Sequence, residues 1–96
     1  VRYRIDEGAG TATLLESVTD PEIPFSGCCG SARRSSSGSW LMSWGGTSMV
    51  TEFNANGERT FLLGFGTLSS YRAFPVAAGE ISRQTMRAAM ETMHPR

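Results

Sequence analysis

The feature that most constrains this chain is its rhythm: short β-favouring runs recur at regular spacing, separated by clusters of Gly, Asn, Asp and Ser. A chain written this way folds as antiparallel strands joined by tight turns. Arg2 to Ile5 alternates polar with apolar, Asp6-Glu7-Gly8-Ala9-Gly10 is a turn signal, and Thr11 to Val18 is rich in Thr and branched residues. These predict a hairpin. Asp20 to Gly30 is a loop, since Pro21 and Pro24 remove ladder donors and Gly27 and Gly30 bracket the cysteines. It links two sheets.

Four further strands follow in a row: Ser31 to Arg34, Ser39 to Trp44, Met49 to Phe53 and Glu58 to Phe65. Ser35-Ser36-Ser37-Gly38, Gly45-Gly46 and Asn54-Ala55-Asn56-Gly57 separate them, and Gly57 takes positive φ at little steric cost. Alternation places Trp40, Met42 and Trp44 on one face, with Leu41 and Ser43 on the other. Ser69 to Val76 is expected as another strand, with Pro75 marking an edge position or the strand's end. Ser82 then caps a helix over Arg83 to Met93, followed by Pro95. Met86, Ala89, Met90 and Met93 share one face of that helix, which should dock by its methionines.

A hairpin, four strands in sequence and one strand more is the rhythm of propeller blades built from four-stranded sheets. The fold class expected is all-β: a partial β-propeller, about one full blade plus parts of neighbours, with a short C-terminal helix. Residues 1–81 form the blade region and 82–96 the helical tail. At 96 residues the chain is one domain at most, with a modest core. It opens at Val1 without Met or an apolar leader, as expected of a piece of something longer.

Composition narrows the partners. Basic and acidic residues number nine each, giving zero net charge, and every basic residue is Arg. Nucleic acid is not favoured, because its footprint is a basic excess on one face. No apolar run approaches the roughly 20 residues that cross a bilayer.

The runs Cys28-Cys29-Gly30-Ser31-Ala32-Arg33-Arg34, Trp40-Leu41-Met42-Ser43-Trp44-Gly45-Gly46, Val50-Thr51-Glu52-Phe53-Asn54 to Gly57 and Ser70-Tyr71-Arg72-Ala73 stand in this order along the chain. In order and spacing they resemble the late blades of the arylsulfotransferase family. The likeness runs from about Thr11 to Phe74, and Met93-His94-Pro95-Arg96 has the look of a family terminus. The Ser35-Ser36-Ser37-Gly38-Ser39 turn departs from it, since more Pro, Asn and Gly are expected there. The resemblance implies a secreted or periplasmic propeller that moves a sulfuryl group from an aryl sulfate to a phenol through a histidine, with no cofactor. Its partners would be the remaining blades and that aromatic substrate.

Such chemistry needs a nucleophilic imidazole with cationic donors around the transferring oxyanion. The chain has one histidine, His94, in a tail expected to be exposed and to fray. The nucleophile is therefore expected outside this chain, and no catalytic role falls on any residue here. Arg33, Arg34 and Arg72 are candidates for the sulfate end of a site, since a guanidinium holds two oxygens at once. The competing expectation is that they are solvated or paired with carboxylates such as Glu52 and Glu58. Tyr71 could stack on an aromatic substrate, although packing with its hydroxyl satisfied is the commoner role. Trp40 and Trp44 fit packing between blades better than a substrate platform.

Cys28 and Cys29 have three readings: free buried thiols, a vicinal disulfide, or metal ligands. The last is least favoured, since a zinc site needs about four ligands and His94 is the only other soft donor. A binding or scaffold propeller without transfer chemistry, and a purely structural fragment, are the alternatives to the enzyme reading.

Overall fold

The computed structural model describes residues 1–77 and 79–95. Strands β1 (Arg2–Asp6) and β2 (Thr11–Glu16) pair as an antiparallel hairpin, with Tyr3 opposite Leu14 and Ile5 opposite Ala12. Its turn is closed locally, as the Asp6 carboxylate accepts from the Ala9 N–H at 2.9 Å and Gly10 adopts φ 65°. Strands β3 (Ser31–Arg34), β4 (Trp40–Trp44), β5 (Met49–Phe53) and β6 (Arg59–Gly64) form a second antiparallel sheet in sequence order. Helix α1 spans Arg83–Met93. The molecule is thus mostly β, two open sheets and one short helix, with no closed barrel among the described residues.

Turn chemistry explains the order of the larger sheet. The Asn54 side-chain oxygen accepts from the N–H groups of Asn56 and Glu58, and Gly57 stands at φ 83° as the Asn-Gly signal requires. In the serine turn the Ser35 hydroxyl takes the Ser39 N–H at 3.1 Å and meets the hydroxyls of Ser37 and Ser39 at 2.7 Å. Hydroxyls there do the work expected of Pro and Asn, and Gly38 supplies the positive φ.

Register then sorts the sheet's faces. Trp40 lies opposite Phe53, Met42 opposite Thr51 and Trp44 opposite Met49, so these six residues share one face. Ser31, Arg33, Leu41, Ser43, Val50 and Glu52 share the other. The core is small: Ile23, Met42, Val50 and Phe53 are its buried apolar residues, and Thr51 is fully enclosed, its hydroxyl accepting from the Trp44 indole at 2.8 Å.

The tryptophan face is covered by the hairpin end and the loop after it. β2 stops at Glu16 instead of reaching Val18, and the Glu16 carboxylate accepts from the Trp40 indole N–H at 2.8 Å. Farther along, the buried Asp20 takes two bonds from Arg59 at 3.1 Å, while Glu22 takes a third at 2.6 Å. These partners hold Arg59, Glu22 first and Asp20 second, more firmly protonated than usual. The linking loop is therefore tied to the last strand of the sheet.

The other face meets a segment expected to be a strand. Ser69 to Val76 forms no ladder; it lies across β3 and β4 as an extended strap. Ser70 is buried with its hydroxyl against that of Ser43, the Ala73 N–H donates to the Ser31 hydroxyl at 3.2 Å, and Phe74 lies under the Arg33 guanidinium. One backbone bond, from the Ser70 N–H to the Thr47 carbonyl at 2.5 Å, joins these side-chain contacts, and no ladder forms because the segment crosses a sheet face instead of lengthening an edge.

Helix α1 has the expected ends, with the Ser82 hydroxyl accepting from the Thr85 N–H at 3.0 Å. It does not dock. None of its described residues is buried, and Met86, Met90 and Met93 are all exposed. Among the described residues no strand packs against the helix. The whole is extended, with a radius of gyration of 16.7 Å where a compact chain of this length has about 12–13 Å. Its accessible surface is 7475 Å², against about 5,400 Å² for a monomer of this mass.

Candidate functional site

Adjacent residues on a strand diverge, and β3 sends its two arginines to opposite faces. Arg33 stands in a row with Leu41 and Glu52 across three strands; Arg34 stands in a row with Trp40 and Phe53. The expected partner Glu52 is thus two strands from Arg33, about 10 Å away at the usual strand spacing, with Leu41 between. Arg33 instead places its guanidinium 3.8 Å from the centre of the Phe74 ring, and forms no ion pair among the described residues.

Arg34 turns to Glu16, with its Nε 3.7 Å from the carboxylate, and Arg2 reaches the same oxygen at 3.1 Å. The Trp40 indole donor above all, and the guanidiniums of Arg2 and Arg34, hold the Glu16 carboxyl below its usual range, although partial burial works against them. Glu58, the other expected acid, accepts from the Asn54 amide at 2.7 Å. Pairing of arginines with carboxylates therefore occurs, but on Glu16, Asp20 and Glu22.

Arg33 and Arg34 do meet at one place. With Ser35, Ser39, Leu41, Glu52 and Pro75 they line a cleft of about 120 Å³ at the end of the sheet. Drug-sized ligands occupy roughly 300–1,000 Å³, so this cleft has room for a small polar group and not for an aromatic ester. Tyr71 and Arg72 lie elsewhere, lining a shallow depression with Phe65, Leu68, Ser69 and Ser70. The Arg72 guanidinium sits 5.0 Å from the Tyr71 ring centre, and Tyr71 is 61% exposed, so its expected packing is not found. The four candidates form two separate pairs.

Cys28 and Cys29 are free and exposed, which corrects the expectation of burial where the thiols are free. Cys29 adopts φ 61°, and contact with the Cys29 thiol pushes Cys28 above the ordinary thiol range. His94 caps α1, its backbone N–H donating to the Met90 carbonyl at 2.8 Å, beside Arg87 and Glu91. Arg96 lies outside the described residues.

Sequence reasoning missed Glu16 and Phe74, the groups that decide where Arg34 and Arg33 point. Neither sits in a motif, and their partners are distant in sequence. No family model, curated protein or solved structure matches the chain.

Proposed function

We propose that this chain supplies late blades of an arylsulfotransferase-like β-propeller, with one arginine, Arg33, at the sulfate end of the parent's site and the nucleophilic histidine on another blade. The observation that carries the reading is the four-stranded sheet in sequence order, flanked by a half-sheet and by wide uncovered apolar surface. Tyr3, Ile5 and Leu14 line an open face of the hairpin, and Phe61, Leu62 and Leu63 are exposed on edge strand β6. Neighbouring blades would cover such surfaces, and the excess area is of the order of a standard interface, roughly 2,000 Å².

The cleft supports a role at the anionic end of a substrate, because Arg33 keeps its charge free of carboxylate partners. A second reading, a binding or scaffold propeller without transfer chemistry, is favoured by Glu16 already occupying Arg34 and by Glu52 in the cleft wall. Given a chromogenic aryl sulfate, the chain alone is expected to release no phenol above blank. Turnover that survives His94→Ala would place the chemistry within these residues and sink the assignment. In sedimentation the chain should self-associate through its open edges or be unfolded; a monomer with a sharp two-state melt counts against the blade reading.

A further inference from the structure

We propose that Cys28 and Cys29 form a redox-active vicinal dithiol, which a low-molecular-weight disulfide such as glutathione disulfide closes into an intramolecular ring. The proposal is independent of the propeller reading. Successive side chains on extended backbone point apart, but Cys29 at φ 61° interrupts that alternation. Both thiols are exposed and stand on consecutive residues of the chain. Among the described residues no group of three His, Cys, Asp or Glu side chains surrounds a metal-sized site.

The unusual backbone at Cys29 is held by its surroundings. A Cβ at Gly45 would lie 1.8 Å from the Cys28 carbonyl oxygen, and one at Gly30 would lie 2.6 Å from the Ser43 carbonyl oxygen. The loop is thus laid backbone to backbone on the end of β4, and the Ser26 hydroxyl fastens it by donating to the Gly45 carbonyl at 2.8 Å. Left-handed backbone at a non-glycine residue persists only where packing imposes it.

Adjacent Cα atoms are about 3.8 Å apart, whereas ordinary disulfides span about 4.4–6.8 Å. The ring is therefore strained, and strained, exposed disulfides are the readily reduced, regulatory kind. Closure proceeds by two exchanges. One thiolate attacks the glutathione disulfide, forming a mixed disulfide and releasing one glutathione thiolate. The second cysteine then displaces the other glutathione from the first sulfur. Both S–H protons pass to the two departing thiolates, the cysteine pair loses two electrons, and the oxidant gains them. Ring closure turns the backbone at Cys29, and contact with Gly45 passes that movement to the turn between β4 and β5.

The test treats the full chain with glutathione disulfide, quenches with acid and measures intact mass after alkylation. The wild type is expected to lose both alkylatable thiols, with its mass lower by two hydrogens and no glutathione retained. Reduced glutathione should restore it, and Cys29→Ser should retain one glutathione. Closure should be about tenfold slower in guanidinium, where the loop no longer fixes the backbone at Cys29. Two retained glutathiones, thiols that stay reactive, disulfides only between chains, or equal rates in native and denaturing buffer would each overturn the proposal.

Discussion

Phe53 and Met90 are both large apolar side chains on regular elements, yet Phe53 is 3% exposed and Met90 is 54% exposed. Phe53 sits in mid-sheet under the linking loop, on the face that also carries Trp40, Met42 and Thr51. Met90 sits on a well-capped helix whose apolar face meets nothing in the described chain. The difference teaches that local rules suffice to write an element, whereas burial needs a second surface. Hairpin β1–β2 falls between the two: its Tyr3, Ile5 and Leu14 face is open, but Glu16 ties its end to β4.

The largest way to break this comparison is Phe53→Ala. Removing a buried phenyl ring is expected to cost about 3–5 kcal/mol, read as lost amide protection throughout β4 and β5. A change confined to Phe53 itself would mean the sheet is not one cooperative unit. Smaller, and opposite in reach, is Ser82→Ala. Loss of the cap should weaken α1 by about 1 kcal/mol, visible as reduced helicity by circular dichroism with β5 protection unchanged. Protection lost in β5 would show that the helix is coupled to the sheet after all.

The smallest effect expected is the pH response of the hairpin's tie. Glu16 has its folded pKa depressed by the Trp40 indole first and by Arg2 and Arg34. Its contribution is therefore fully present above the unfolded glutamate pKa and is lost as pH falls through the lower folded value. The Trp40 indole N–H resonance should shift over that acidic window, and Glu16→Gln should flatten the response. An indole signal that titrates unchanged in the variant would assign the effect to another group.

Much of the fold was legible because it is local. Ser82 and the 3.6-residue spacing of the methionines marked α1 at its observed ends, and Asn54 to Gly57 marked the β5–β6 turn. The strap from Ser69 to Val76 was not legible as a strap. Its Tyr-Arg-Ala-Phe run favours extended backbone, but whether extended chain pairs at an edge or crosses a face depends on residues such as Ser31 and Ser43, many positions away. The candidate site divided for the same reason. Arg33 and Arg34 could be set on opposite faces from strand alternation alone, but Phe74 and Glu16 became their partners only through the strap and the hairpin end.

By itself, then, the sequence determined where the chain bends and which side chains alternate, since turn residues and periodicity act over a few bonds. Tertiary structure decided which face was covered, which carboxylate met which arginine, and that the methionine stripe would stay open. Those outcomes turn on contacts between segments far apart along the chain, where no short-range preference operates.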